Sequence, residues 1–252
     1  MRFKTALLAI ATAASLSAIG SGNATELVVN GNFDGSNYGQ IGWNGNTLQG
    51  WNTTGYNFLF SAGNDDYPGV TGTYGNVKLW GPWNGSFNGL GASPAGGNYV
   101  AADGAYGVAP LTQTINGLTV GQKYNLSFYW AGAQQYSYDG ITTEQWKVSL
   151  GNENYSTAVK TDGNHGFTGW TQELMTFTAT STSELLSFLA IGTPAGEPPF
   201  SLLDGVSMSQ VVQPATPTPP PTKVPEPGTL AMIGLGLGVL GLGMRRRKSK
   251  QK

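Results

Sequence analysis

The chain has 252 residues, enough for one large or two small domains, and only 11% of them are charged, less than half of the usual share of about 25%. It contains no cysteine and a single histidine, which excludes disulfides, thiolate metal sites, a thiol nucleophile and any site built on two histidines. The formal net charge is −1, but residues 25–222 hold four lysines, no arginine and 13 acidic residues, which gives −9. This acidic stretch cannot neutralise a run of phosphates, so nucleic acid is excluded as a partner.

Residues 1–24 have the organisation of a secretory signal peptide. Arg2 and Lys4 form a short basic region, residues 6–19 are apolar or small, and Gly22 and Ala24 are small residues suited to a cleavage site. The alternative is a core helix. Fourteen residues are too few for a membrane anchor, so we predict export and removal of this segment.

The other end of the chain contains a second ordered set of signals. Residues 213–224 are rich in proline and threonine, which predicts an extended linker. Residues 229–244 carry no charge, and as a helix they would span about 24 Å, less than the roughly 30 Å of a bilayer core. A basic tail, residues 245–252, follows and is expected on the cytoplasmic side; it opens with Arg245, Arg246, Arg247 and Lys248.

The order of these features in residues 225–252 resembles the PEP-CTERM sorting domain of Gram-negative bacteria. The resemblance rests on Pro225, Glu226 and Pro227, followed by the glycine-rich apolar segment and the arginine cluster. It implies transient insertion in the inner membrane, processing by an exosortase-type enzyme near the Pro-Glu-Pro motif, and delivery to the cell surface or exopolysaccharide. The alternative is a permanent C-terminal membrane anchor.

Residues 25–212 form the remaining segment, where short apolar runs alternate with Gly, Asn and Ser. Tyr124, Leu126 and Phe128 alternate with polar residues, the period of a half-buried strand. No window has a sustained helical period. Nine strand-like runs predict an all-β domain, a jelly-roll β-sandwich, with residues 31–75 as long loops across one face. The runs are 26–30, 76–80, 97–102, 111–115, 123–130, 145–150, 171–179, 184–191 and 202–211.

Short motifs in this segment resemble the galactose-binding-like jelly rolls, in particular carbohydrate-binding modules for xylan and glucan. They are the opening Asn-Gly-Asn-Phe-Asp of residues 30–34, the Gly-Trp pair at 42–43, and the closing Leu-Asp-Gly-Val of residues 203–206. The resemblance implies a structural calcium held by Asp34 and Asp204. The family often has glutamate at the first position and a second acid at Gly205. The alternative is that Asp204 caps a turn and Asp34 is solvated.

The chain is rich in aromatic residues, with seven Trp, eleven Tyr and ten Phe. Sugars place flat C–H faces on aromatic rings, and their hydroxyls pair with amides, carboxylates and phenols. Aromatic side chains also pack sandwich cores, so each ring has that alternative role. The predicted ligand residues are those that lie among polar neighbours: Trp80, Trp83, Tyr129, Tyr136, Tyr138 and Asp139.

The residues do not favour catalysis. No Gly-x-Ser-x-Gly motif is present, and His165 lies in a polar turn sequence. The adjacent Asp65 and Asp66 do not by themselves give the opposed carboxylates of a glycoside hydrolase. We therefore predict an exported, non-catalytic surface or matrix protein that binds carbohydrate or exopolysaccharide, with no cofactor beyond the structural calcium. The alternatives are an adhesive matrix protein without a glycan ligand and a glycoside hydrolase.

Overall fold

The computed structural model describes residues 25–35, 37–61 and 63–212. All of them belong to the first of the two units into which the chain divides, Met1–Val212 and Gln213–Lys252. The predicted signal peptide, linker and sorting segment lie outside the described residues. Within the described part of the chain, no helix is both long enough and apolar enough to span a membrane.

The regular structure of the described residues consists of thirteen β-strands and one turn of 3-10 helix, Pro82–Asn84. The first six strands are β1 (Gly39–Gln40), β2 (Asn57–Ser61), β3 (Val70–Gly72), β4 (Gly75–Val77), β5 (Asn98–Asp103) and β6 (Leu111–Asn116). The other seven are β7 (Lys123–Gln134), β8 (Thr142–Leu150), β9 (Glu153–Ser156), β10 (Lys160–Asp162), β11 (Thr171–Thr178), β12 (Ser183–Thr193) and β13 (Pro199–Gln210).

The strands form two antiparallel sheets packed face to face, and a separate β3–β4 hairpin. Sheet I has the order β1-β2-β5-β13-β7-β11, and sheet II has the order β10-β8-β12-β6, with β9 also paired to β8. The chain changes sheet at every step from β5 to β8, and again at every step from β10 to β13. The predicted all-β jelly-roll sandwich is thus confirmed.

The inner core lies between the two sheets and is dominated by aromatic side chains. Phe188 of β12 lies at its centre, with ring centroids 5.2 Å from Phe128, 5.9 Å from Trp146 and 6.1 Å from Trp51. Trp130 is also almost fully buried in this core. These tryptophans therefore stabilise the sandwich, the alternative role considered for each aromatic residue.

Sheet I has a second core on its outer face. Val70, Val77, Leu79 and Leu90, from the hairpin and the segment after it, belong to the same cluster of buried residues as the outward-facing side chains of this sheet. A strand that is buried on both faces has a continuous apolar run without alternation. This explains why β2, with Phe58-Leu59-Phe60, was wrongly included in a loop region.

The predicted strand at residues 26–30 is also absent from the structure. Leu27 donates one backbone hydrogen bond to Met208 of β13, at 2.9 Å. The N–H of Met208 itself donates to the Glu26 side-chain carboxylate at 2.9 Å, not to a backbone carbonyl. Asn30 adopts a left-handed conformation, with φ of 53°. The Glu26 side chain and the turn at Asn30 therefore take the place of the backbone hydrogen bonds that a strand at residues 26–30 would form with β13.

Candidate functional site

A cleft lies at one end of sheet I, where β5 and β7 end and β2 and β13 begin. We call it the tyrosine cleft. Its volume is about 340 Å³. Strand ends hold its floor, and the β3–β4 hairpin and the loops after β5 and β7 form its walls. The lining residues used below are Tyr56, Tyr74, Asn76, Asp103, Tyr106, Gln135 and Tyr138.

Three tyrosines from separate parts of the chain form one wall of the cleft. The ring centroid of Tyr56 lies 6.0 Å from that of Tyr74 and 5.5 Å from that of Tyr106, and the centroids of Tyr74 and Tyr106 are 5.9 Å apart. The hydroxyl of Tyr106 donates to that of Tyr74 at 2.9 Å. Tyr56 is buried, whereas Tyr74 is 70% exposed. The rings thus combine a fixed base with accessible faces.

Two buried acceptor atoms belong to residues that line the cleft. The Asp103 Oδ1 atom accepts hydrogen bonds from the N–H groups of Ala105 and Tyr106, at 2.8 and 2.9 Å. The Oδ2 atom of Asp103 and the Oε1 atom of Gln135 have no partner among the described residues. Burial raises the pKa of Asp103 to about 6, against the effect of the two N–H groups. The site therefore has unused capacity to accept hydrogen bonds from hydroxyl groups.

Burial also changes the acidity of Tyr56, which lies at the bottom of the cleft. It raises the pKa of Tyr56 to about 12, and the nearby Asp103 carboxylate contributes to the shift. The Tyr56 hydroxyl therefore stays protonated over the physiological pH range and remains a hydrogen-bond donor as well as an acceptor.

Of the predicted ligand residues, only Tyr138 lines the cleft. Trp80 supports it, since its indole N–H donates to the Tyr138 carbonyl at 2.9 Å. The Trp80 ring packs on Tyr136, with centroids 4.5 Å apart, and stacks on His165 at 3.7 Å. Trp80 and Tyr136 are thus placed behind the wall that carries Tyr138.

His165 and Asp139 connect two loops near the cleft. The His165 Nε2 atom lies 2.6 Å from Asp139 Oδ1, which forms an ion pair when the histidine is protonated. The residues next to this pair are also bonded, since the Gly140 N–H donates to the Asn164 side chain at 2.5 Å. Asp139 therefore helps to fix the loop that carries Tyr138, and its carboxylate is already engaged in this contact.

Trp83 and Tyr129, the other two predicted ligand residues, do not line the cleft. Trp83 lies in the 3-10 turn and is 80% exposed. Tyr129 is half-buried on β7, opposite Asp204 of β13.

The two acids considered for hydrolysis have structural contacts. Asp65 and Asp66 are both buried. The Tyr99 hydroxyl donates to Asp65 at 2.7 Å, and the Trp83 N–H donates to Asp66 at 2.8 Å. Burial raises the pKa of Asp65, and the hydrogen bond from Tyr99 opposes this shift. These carboxylates hold the segment that covers the outer face of sheet I.

The two residues predicted to hold calcium lie near each other. Asp204 is fully buried, its Oδ1 atom accepts the Gly205 N–H at 2.7 Å, and its Oδ2 atom has no hydrogen-bond partner among the described residues. Burial raises the pKa of Asp204 to about 7; the Ser93 side chain and the Gly205 N–H oppose this shift, and the charge of the exposed Asp34 adds to it. Among the described residues, no group of three or more His, Cys, Asp or Glu side chains is arranged to hold a metal ion. A cation there would need backbone carbonyl ligands as well.

A second group of buried ionisable residues lies between β8 and β10. Glu144 is paired across the two strands with Lys160, and Thr142 is paired with Asp162. Burial raises the pKa of Glu144 to about 8 and that of Asp162 to about 7, and lowers the pKa of Lys160 to about 8. The Lys160 ammonium donates to the carbonyls of Trp130 and Gly169, at 3.2 and 2.9 Å.

Sequence reasoning missed Tyr56, Tyr74 and Tyr106 as candidate ligand residues. They come from the start of β2, from the hairpin turn and from the loop after β5, and only the folded chain brings them together. Their one signal in the sequence is the presence of glycine beside each of them, at positions 55, 75 and 107. Asp103 is likewise absent from the predicted site residues.

A family model, the PEP-CTERM protein-sorting motif, matches residues 223–248. No curated protein matches the chain. Solved structures similar to this chain include TmCBM61 in complex with beta-1,4-galactotriose, with 16% identity and a TM-score of 0.40 over 75% of this chain and 100% of that one. Another is the CBM22-1 xylan-binding domain of Paenibacillus barcinonensis Xyn10C, with 11% identity and a TM-score of 0.38 over 77% and 100%.

A third similar structure is the N-terminal cellulose-binding domain of Cellulomonas fimi beta-1,4-glucanase C, with 19% identity and a TM-score of 0.31 over 62% of this chain and 97% of that one. The sorting motif is typical of exported proteins that reach the cell surface after passing the membrane. The chain therefore carries a PEP-CTERM protein-sorting motif that follows an all-β jelly-roll domain.

Proposed function

We propose that this exported protein is a non-catalytic binder of uncharged carbohydrate, and that the tyrosine cleft is its binding site. The observation that carries the proposal is the combination of four tyrosine rings with two buried acceptor atoms that have no partner, Asp103 Oδ2 and Gln135 Oε1. Aromatic faces suit the C–H surfaces of a sugar ring, and unpaired acceptors suit its hydroxyl donors.

The charge of the domain supports a neutral ligand. Residues 25–212 include four lysines and 13 acidic residues. A surface of this sign repels anionic polymers, and Asp103 in the cleft would oppose a carboxylated or sulfated sugar. A cleft of about 340 Å³ lies at the small end of the usual range for ligand pockets. We therefore propose one or two residues of a neutral glycan as the ligand of the cleft.

Replacement of the cleft tyrosines tests this function. We expect Tyr106→Ala and Tyr138→Ala each to weaken binding of the exported protein to a neutral oligosaccharide by about tenfold, because each removes a stacking surface worth roughly 1 kcal/mol and its hydroxyl. The oligosaccharide is first identified on a glycan array, and affinity is then measured by isothermal titration calorimetry. Binding should also weaken below about pH 6, where Asp103 becomes protonated and loses acceptor capacity.

The matched control is Tyr155→Ala, which removes a tyrosine of comparable exposure from β9 of sheet II. It should leave the affinity unchanged. Failure of the wild-type protein to bind any neutral glycan on the array would contradict the proposal and favour an adhesive matrix role without a glycan ligand. Equal losses in all three variants would mean that the cleft is not the site.

We further propose the processing that the two ends of the chain predict. Residues 1–24 would act as signal peptide, 213–224 as linker and 225–252 as the segment recognised by an exosortase-type enzyme. The match of the sorting motif to residues 223–248 supports this assignment. The mature jelly-roll domain, residues 25–212, would then be released or attached at the surface of a Gram-negative cell or in its extracellular matrix.

Mass spectrometry of the exported protein tests this processing. We expect no peptide from beyond about residue 228, because the apolar segment and basic tail would be removed with the membrane-inserted part. Replacing Pro225-Glu226-Pro227 by three alanines should retain the tail and leave the protein in the membrane fraction. Recovery of residues 245–252 from the wild-type exported protein would instead indicate a permanent anchor.

For calcium, we propose a structural site between Asp34 and Asp204. The buried Asp204 Oδ2 atom has no partner, and a hard cation binds such carboxylate oxygens well. When bound, the ion would tie the turn at residues 30–34 to the last strand. The two departures from the family's usual acids reduce the number of charged ligands, so a weak site is expected.

A further inference from the structure

Besides the cleft, the described part of the protein exposes two large aromatic side chains on one short loop. Trp83 is 80% exposed and Phe87 is 83% exposed, the highest values among its exposed large hydrophobic residues. We call residues 81–90, which carry them, the aromatic loop. A single exposed ring is common on protein surfaces, but two such rings on one short loop form a candidate contact surface for a ligand.

The backbone at Phe87 is itself unfavourable. Its φ of 49° lies in the left-handed region, which bulky residues rarely adopt. Glycine or asparagine would be accommodated there with less strain. Phe87 therefore combines an unfavourable conformation with an exposed ring, and such a combination points to a functional role for the ring.

The loop itself is held by its polar side chains. The Asn84 side chain accepts the Gly81 N–H at 2.9 Å and donates to the Leu79 carbonyl at 2.7 Å. The Asn88 side chain donates to the carbonyls of Trp80 and His165, at 2.9 and 3.0 Å. The side-chain amides of Asn84 and Asn88 thus fix the conformation of the loop, while the rings of Trp83 and Phe87 remain exposed to solvent. A ligand would therefore meet a preorganised surface.

A chain of contacts connects the aromatic loop to the wall of the tyrosine cleft that carries Tyr138. The loop begins directly after Trp80, whose indole N–H is bonded to the Tyr138 carbonyl. At its other end, Ser86 and Asn88 bind the backbone of His165, which stacks on Trp80. One rigid set of contacts therefore links the wall of the cleft to the two exposed rings.

We infer that the aromatic loop is a second contact surface for the same class of ligand, an uncharged polysaccharide chain that extends beyond the cleft. This inference rests on the proposed function. Two aromatic side chains, each of about 150–250 Å², together offer about 300–500 Å², which is less than the roughly 800 Å² per partner of a stable protein interface. The acidic domain also disfavours an anionic membrane. A narrow neutral polymer is the occupant that suits both the area and the charge.

The test compares long and short ligands with the exported protein. The variant Trp83→Ala/Phe87→Asn removes both rings, and asparagine tolerates the left-handed backbone at position 87. We expect this variant to bind a neutral polysaccharide at least about tenfold more weakly than wild type in affinity electrophoresis, because one of two linked contacts is lost. Its affinity for the short oligosaccharide bound by the cleft should stay within about twofold, since the cleft is untouched.

Two further variants separate the outcomes. Leu174→Ala removes an exposed apolar side chain, 62% exposed, from β11 and should change neither affinity. Tyr106→Ala in the cleft should weaken both. If the loop variant binds the polysaccharide as wild type does while Tyr106→Ala does not, the second surface is refuted and the cleft stands. If wild type binds neither ligand, the proposed function fails first, and the inference with it.

Two other occupants would also overturn the inference. Wild-type self-association in analytical ultracentrifugation that disappears in the loop variant, with polysaccharide binding unchanged, would assign the rings to a second copy of the chain. Loss of binding to phosphatidylcholine vesicles in the same variant, again with polysaccharide binding unchanged, would assign them to a lipid surface.

Discussion

Raising the pH from 4.5 to 8 should destabilise the jelly-roll domain, and Glu144→Gln should remove a large part of that loss. Burial raises the pKa of Glu144 from 4.5 to about 8 and that of Asp162 from 3.8 to about 7. The folded state therefore binds more protons than the unfolded state between these values, and the free energy of unfolding falls as pH rises. Below about pH 3 both carboxyls are protonated in both states and the loss is absent.

The neighbouring charges set the size and the upper limit of the effect. Lys160 of β10 is paired with Glu144 of β8, and burial lowers the pKa of Lys160 to about 8. Between pH 8 and 10.5 the unfolded state therefore binds more protons at this lysine, and the free energy of unfolding should rise again. A shift of three pKa units corresponds to about 4 kcal/mol, from which we expect a loss of roughly 2–4 kcal/mol for the acid pair. Asp103, with a pKa of about 6, and Asp204, with a pKa of about 7, add to the loss with the same sign.

Chemical denaturation at each pH measures this profile. Glu144→Gln has nearly the same shape and cannot ionise, so at pH 8 it should be more stable than wild type by roughly 2 kcal/mol and at pH 4.5 about equal. The control is Glu197→Gln, a partly exposed carboxyl in the loop before β13, which should follow the wild-type curve. Parallel profiles for wild type and Glu144→Gln would show that the buried carboxyl is not the source.

Removal of calcium should lower the melting temperature of the domain, and Asp204→Asn should abolish the response. A ligand present at 100 times its dissociation constant stabilises the folded state by about 2.7 kcal/mol. For a domain of this size, each kcal/mol corresponds to roughly 2–4 °C, so a chelator should lower the melting temperature by about 5–10 °C. The cause is the buried Asp204 carboxylate, whose unpaired Oδ2 atom would lose its cation.

Differential scanning fluorimetry with calcium and with a chelator measures the difference. Asp139→Asn removes an exposed carboxylate that contacts His165 rather than Asp204, and this control should keep the full calcium response. An identical melting temperature of the wild type in calcium and in chelator would contradict the structural calcium. In that case Asp204 would be a protonated buried acid, and Asp204→Asn would melt close to wild type.

The strands predicted from the sequence include those with one face in the inner core and the other in a polar or mixed environment, and also β5, although all six of its residues are buried. In β7, Tyr124, Leu126 and Phe128 point to the same core, and their alternation is visible in the sequence. The strand β2 was missed because burial on both faces removes the alternation. The extra layer that buries it comes from the hairpin and the segment after it, whose short strands have no periodic signal of their own.

Placement of the site was less predictable than the fold. Tyr138 was identified because it follows a clear strand in a polar loop. Tyr56, Tyr74 and Tyr106 meet only through long-range pairing, since Tyr56 and Tyr106 flank β2 and β5, which are adjacent in sheet I. A single sequence carries no record of that pairing. The division of the aromatic residues between core and cleft depends in the same way on which face of a sheet each ring occupies.

The second core on the outer face of sheet I has a consequence for how recognition can change. Because the outer face of sheet I is covered, ligand contacts on that side of the sandwich are restricted to segments that extend from strand ends. Tyr74, Tyr106, Trp83 and Phe87 are all exposed and belong to neither buried cluster. Their identities can therefore be exchanged, in nature or in the laboratory, to retarget the domain to another polymer while the scaffold keeps its folding stability.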